Sequence, residues 1–210
     1  MDYELWRDDI FGKPDGSDPV CMDLLGETYA VSLDEALDHI DHALVDSELH
    51  ELYSRDQIGI GLQYIYSNSC SDLPFCYVNA GDNQRRVDGI RNMIHLYMNF
   101  FERHCSPSVG NIGNSIDGAI EYVCYMLWDV IVLNPGSSSP EMIDAGLDVM
   151  QHALGSTNES CIVSAIHGLG HWVDGAPRSV EVLEGWLRRP TTQSDDILRY
   201  ARQATTGCIM

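Results

Sequence analysis

Basic residues are scarce in this sequence. Twelve Lys and Arg stand against 32 Asp and Glu, the formal net charge is −20, and Lys13 is the only lysine. A chain so poor in cations lacks the basic footprint that phosphate backbones require, which argues against nucleic-acid binding. An anionic membrane surface would repel it for the same reason. Long apolar runs are also missing: the longest, 123–133, is interrupted by Asp129 and falls short of the roughly eighteen residues of a membrane span. The opening Met-Asp-Tyr-Glu-Leu-Trp-Arg-Asp-Asp is acidic and has neither the basic nor the apolar part of a signal peptide. Seven cysteines are present without CxxC spacing, and Cys105, Cys124 and Cys161 fall in helical patterns, where Cys behaves as a small buried hydrophobe. The expectation is a cytoplasmic protein with reduced thiols.

Motifs of catalysis and cofactor binding are absent too. There is no Gly-x-Ser-x-Gly elbow and no protease-type Cys signature. Gly59 and Gly61, and the pair Gly110 and Gly113, lack the strand-to-helix context and spacing of a phosphate loop, and the acids of the N-terminal region do not follow a calcium-loop pattern. The sequence therefore predicts no catalytic residue, no cofactor and no enzymatic activity.

What is present is a globular composition, 44% hydrophobic with ten Tyr, four Trp and four Phe, long enough to bury a core. Apolar spacing is helical nearly throughout. Ser32 and Glu35 have the form of a capping box, followed by Leu33, Ala36, Leu37, Ile40, Leu44 and Val45 as one stripe. Ser47 to Tyr53 predicts a short helix, and Ser54 with Gln57 caps another to about Ser67. The longest helix is expected over 82–104 and the most apolar one over 115–133, with the Pro- and Gly-containing loop 106–114 between them. Ser139-Pro140, Asn158, Pro177 and Ser194 punctuate four further helices. The fold class is all-α, with no convincing strand alternation.

The last third repeats. Pro140 and Pro177 each open a helix, Asn158 and Ser194 each cap the next, and Ile143/Val180 and Met150/Leu187 match at the same offset. A single helix pair cannot bury its apolar faces alone, so pairs at this period share a core. The stretch Ala165-Ile-His-Gly-Leu-Gly170, with the following pair ending in Tyr200-Ala201 and Gly207, resembles HEAT or armadillo-type repeats. The resemblance implies a helical-repeat right-handed superhelix of antiparallel helix pairs, the alternative being an irregular helical bundle. The chain is read as a single domain, 1–210, divisible into an irregular acidic region, 1–135, and two HEAT-like pairs, 136–210.

Charge is unevenly placed: the first 56 residues hold sixteen Asp and Glu against three Lys and Arg. Asp34, Glu35, Asp38, Asp41 and Asp46 fall on one face of the helix after Ser32, and Glu48 and Glu51 follow. These seven, with Trp172 and Trp186 as interface aromatics, form the expected docking surface for a basic protein partner. The function so implied is a protein–protein interaction module, in one version an immunity or inhibitor protein neutralising a basic toxin such as a nuclease. A general scaffold is one alternative. The other is a helical enzyme with an acidic or His-containing cleft, in one version metal-dependent, whose discriminating feature would be three or more of His39, His42, His95, His167 and His171 converging with carboxylates. No metal site is predicted, but His167 and His171, one helical turn apart in His-Gly-Leu-Gly-His, are the candidate ligands, with His39 and His42 as a second pair expected on a solvated face.

Overall fold

A computed structural model describes residues 1–20, 31–110, 112 and 118–209. Cys21, Gly113 and the expected helical start 115–117, Ile116 included, lie outside these. Among the described residues every regular element is helical. In order they are α1 (Tyr3–Phe11), α2 (Leu33–Ala43), α3 (Leu49–Leu52), α4 (Arg55–Tyr66), a 3-10 turn (Leu73–Phe75) running into α5 (Cys76–Asn79), and α6 (Asn83–His95). A π-helical turn (Leu96–Phe101) joins α6 to α7 (Glu102–His104), and α8 (Ala119–Val130), α9 (Pro140–Ala153), α10 (Glu159–Trp172), α11 (Arg178–Leu187) and α12 (Asp195–Ala204) follow.

Local chemistry sets the boundaries. Ser32 and Ser54 both close capping boxes, with Glu35 and Gln57. Asp82, Ser139, Asn158 and Ser194 each accept a backbone N–H of the first turn of the helix they precede. Two expectations change. The helix over 82–104 is continuous but widens into the π turn, where Leu96, Tyr97, Phe100 and Phe101 all point inward and the Asn99 side chain donates to the Leu44 carbonyl. The apolar helix ends at Val130, because Ile131 turns extended before the Asn134-Pro135 turn. Helix α1, not among the expected helices, is capped by Asp2, which accepts the Glu4 N–H, and it buries Trp6, Ile10 and Phe11.

Two successions of contact organise the chain: α4, α8, α10 and α12 touch in that order, and so do α2, α6, α9 and α11. Contacts of α10 with α9 and α11 tie the two rows together, and α1 lies across α4 and α2 at one end. One buried apolar cluster runs through all of this from Trp6 to Ala204. Each large side chain buried there stabilises by about 1.5–3 kcal/mol relative to exposure. Cys70, Cys76, Cys105, Cys124 and Cys161 are buried free thiols, and Cys208 is exposed. No helix among the described residues is long and apolar enough to cross a membrane.

Between the rows, α3 meets α7 through two histidines, His50 Nδ1 lying 3.0 Å from His104 Nε2. Burial, the His50 ring and the Arg103 and Arg55 guanidinium groups push His104 down to about 4. Burial and Arg103 lower His50 too, opposed by Asp46. A histidine held neutral by the fold takes up its proton more readily when unfolded, so the stability it contributes is present above its ordinary value near 6.5 and is lost as pH falls from there toward 4. Urea unfolding midpoints at pH 7 and pH 5 should therefore differ less in His104→Gln than in the parent chain; an equal or larger drop in the variant would contradict this.

Candidate metal centre

The His-Gly-Leu-Gly-His segment forms the middle of α10, and its two glycines determine how close the neighbouring helices come. A Cβ on Gly168 would lie 2.5 Å from Cγ and Cδ1 of Trp128 on α8. One on Gly170 would lie 2.6 Å from Ile209 Cγ2 and 3.1 Å from Ala204 Cβ, at the end of α12. Only hydrogen fits at either position, so α10 is pressed against the helices on both sides. Trp128 is held in turn by its Nε1–H donating to Tyr97 Oη at 2.9 Å and by edge-on packing against Trp172.

This close approach carries Asp129, the neighbour of Trp128, onto both histidines. Asp129 Oδ2 lies 2.8 Å from His167 Nε2, Asp129 Oδ1 lies 2.8 Å from His171 Nε2, and the two Nε2 atoms are 3.2 Å apart. Among the described residues this is the one group of three or more His, Cys, Asp or Glu whose donor atoms all fall within 4.8 Å of one another. A zinc ion about 2.0–2.1 Å from each donor would set tetrahedral neighbours about 3.3 Å apart, close to the 3.2 Å between the imidazoles, whereas the two carboxylate–imidazole spacings of 2.8 Å are at hydrogen-bond length and would have to widen.

His167 is 3% exposed, and its other nitrogen, Nδ1, lies 2.6 Å from Tyr200 Oη on α12. Burial and a hydrogen bond with Tyr125 push the Tyr200 hydroxyl well above the usual tyrosine range, so it keeps its proton. With its proton on Nδ1 the His167 ring donates to Tyr200 Oη and turns the Nε2 lone pair toward Asp129, the tautomer a cation requires; with its proton on Nε2 it donates to Asp129 instead. An oriented imidazole whose far N–H is tied down is the usual outer support of a metal ligand. Burial and the His167 ring lower His171, against the pull of Asp129, which favours its neutral form.

The cluster is closed on the Tyr200 side and open on the other. His171 is 43% exposed, and with Asp129 it lines a depression of about 560 Å³ together with Ile131, Leu133, Trp172 and Asp174. The turn at Asn134–Gly136 and the turn at Asp174–Gly175 form its rim, pressed together where Gly175 meets Pro135 with no room for a Cβ.

The residues expected to dock a partner lie elsewhere, and most are occupied within the fold. Asp34 accepts the Gly81 N–H, and Glu35 binds the N-terminal ammonium and its own cap at Ser32, which together hold its carboxyl down to about 2. Asp38 and Asp41 bracket Arg85 at 2.7 and 2.8 Å. Asp46 and Glu48 bracket Arg7 at 3.2 and 3.4 Å, and Asp46 also accepts from Tyr3 Oη. Only the Glu51 side chain makes no such contact among the described residues. Trp172 and Trp186 are 2% and 9% exposed, so neither projects as an interface aromatic: Trp172 is buried against Trp128 and Gly146. His39 and His42 do not converge on a ligand site: His42 is exposed, as expected, and stacks on Tyr3 of α1, while His39 is half-buried against Trp6.

Sequence reasoning identified His167 and His171 but not Asp129, Tyr200 or Tyr125, which are 38, 33 and 42 positions from His167. Asp129 carried one signal: it is the single charge in the most apolar run of the chain. No protein-family model matches the sequence, and searches of curated proteins and of solved structures also find no match.

Because the Tyr200 hydroxyl fixes His167, Tyr200→Phe should weaken zinc binding by about 10–100-fold. Competition against a chromogenic chelator measures this, and an unchanged affinity would mean that the hydroxyl has no part in presenting Nε2.

Proposed function

We propose that this chain is a metal-binding helical protein in which Asp129, His167 and His171 hold a zinc-class divalent ion, and that its activity is metal-assisted hydrolysis. The observation that carries this is the convergence of two imidazole nitrogens and a carboxylate within 3.2 Å of one another beside an open depression. Two nitrogens and one oxygen suit zinc and its first-row neighbours rather than calcium or magnesium, which take all-oxygen sites. Three protein donors leave a coordination position for water or substrate, the feature that separates catalytic from structural zinc sites. An ion there would polarise a carbonyl or lower the pKa of bound water toward neutrality. Asp129 and His171 would present it to the depression, while Tyr200 and Tyr125 keep His167 oriented from behind.

Contacts within α9/α10 and within α11/α12, and of α10 with both α11 and α12, support a repeat reading of the last third, with these as two successive pairs. On that reading the histidines belong to the first pair and Asp129 to α8, the helix stacked on it, so the site lies at the joint between α8 and the repeats. An experimental structure in which α8 and α10 are not stacked neighbours would remove both inferences.

The docking reading, with a basic partner and in one version a toxin, keeps its support in the net charge of −20 and in exposed Val45 and Leu52 beside Glu48 and Glu51. It stands second because six of the seven proposed carboxylates already have partners within the chain. It predicts partner capture that weakens with salt; capture that is indifferent to salt would overturn it.

The metal reading is tested on untagged chain by elemental analysis and by the visible absorption of the cobalt(II) form. One equivalent of metal per chain is expected, with a His/carboxylate cobalt spectrum that is lost in Asp129→Ala and His171→Ala. His171 is half-exposed, so His171→Ala should keep the parent's circular dichroism and melting point. Less than stoichiometric metal, with no cobalt spectrum from folded protein, overturns the reading.

A further inference from the structure

The depression at the metal centre has a charge that restricts what it can hold. Its ionisable lining residues are Asp129, His171 and Asp174, and no Arg or Lys lines it. A divalent ion bound by two neutral imidazoles and one carboxylate keeps a net charge of about +1. Asp174, which is exposed and has no hydrogen-bond or ion-pair partner among the described residues, offsets that charge within the same depression. Anionic substrates such as phosphate esters are ordinarily gripped by Arg, Lys or helix N-termini. Here they would meet none of these and would approach through the field of a chain carrying a net −20.

Asp174 is also held in place. It follows His171 by three residues in the turn that ends α10, where Gly175 and Ala176 N–H both donate to the Trp172 carbonyl. Gly175 is seated on Pro135, where a Cβ would lie 2.6 Å from Pro135 Cβ. The carboxylate therefore stands on a braced rim rather than on a free loop. The remaining lining is apolar or uncharged: Trp128, Ile131, Leu133, Asn134, Trp172.

We infer that the depression takes a cationic, amine-bearing ligand that also offers an oxygen donor to the metal ion, with Asp174 receiving the ammonium group. The substrate class is then a small amino-acyl compound, an amide or ester with a free amine, rather than a phosphate ester. This rests on the metal reading above, and the experiment separates the two.

Metal-loaded full-length chain is titrated with glycine hydroxamate, with acetohydroxamate, which has the same metal-binding group but no amine, and with inorganic phosphate. Binding is followed by calorimetry and by the cobalt(II) spectrum. Glycine hydroxamate should bind about fivefold more tightly than acetohydroxamate, the scale of one partly exposed ion pair, and phosphate more weakly than either. Asp174→Asn should erase the preference while leaving acetohydroxamate affinity, metal content and melting point unchanged. Equal affinities for the two hydroxamates in the parent, a preference that survives in Asp174→Asn, or phosphate binding tighter than both would overturn the inference with the metal reading intact. Failure to take up metal at all would overturn the metal reading and this inference with it.

Discussion

The contact on which the rest of this molecule depends is the seating of Trp128 against Gly168. It brings α8 and α10 closer than any side chain on α10 would allow, and it lies in the middle of the row α4–α8–α10–α12. One chain of buried polar groups is referenced to it. Trp128 Nε1–H reaches Tyr97 Oη, Tyr97 Oη reaches Ser164 Oγ at 2.8 Å, and Ser164 Oγ also bonds the Cys124 carbonyl. That chain joins the π turn, α8 and α10 without leaving a buried donor idle. The same contact brings Asp129 to the histidines. Helix packing and site geometry are consequently one constraint: a larger residue at position 168 would displace the tryptophan and the carboxylate together.

The acidic excess has a different structural role from the one its pattern suggests. A helix face with five acids looks like a surface waiting for a partner. In the folded chain the partners are internal, Arg7 from α1 and Arg85 from α6, each bracketed by two carboxylates of the α2–α3 segment. Asp46 shows how far this goes: burial opposes its ionisation, yet hydrogen bonds from Tyr3, Glu48 N–H and Arg7 hold it below the usual carboxylate range. Among these pairs Arg7–Asp46, nearly buried on both sides, is costly to break from one side because the remaining charge is left without water or partner, whereas those to exposed Asp38 and Glu48 are worth little. They join elements far apart in sequence, which local charge counting cannot register.

What was legible in the sequence was what is written locally. Capping residues at Ser32, Ser54, Ser139, Asn158 and Ser194 and the 3.6-residue stripes placed most helices within a few residues, because those signals act over one turn. The glycines of His-Gly-Leu-Gly-His were readable as a close-packing signal, and the structure supplies what they pack against. The site itself was half legible. Two histidines one turn apart share a face by helix geometry alone, but the third donor and the tyrosine support arrive from α8 and α12, and nothing in the spacing of either helix points to α10. Helix α1 was missed for a related reason: its apolar residues Trp6, Ile10 and Phe11 sit within an acidic stretch whose charge dominates the reading until Arg7 is seen to pair with Asp46 and Glu48, between α2 and α3.

The polar cluster at the α8–α10 joint also bears on why it should be functional at all. Burying an imidazole between a carboxylate and two phenols at a helix contact gives up apolar packing that Leu or Met would supply there. Buried polar groups of this kind seldom repay their desolvation in stability, and isosteric apolar replacements are often neutral or better. Trp128, packed on Gly168 and edge-on against Trp172, already supplies apolar contact at the same joint. The cluster is not sealed, as a purely structural network would be: His171 and the Asp129 carboxylate face the depression while Tyr200 and Tyr125 close the back. A closed interior on one side, with an imidazole and a carboxylate facing an open depression on the other, is what supports the proposal of a ligand-binding centre.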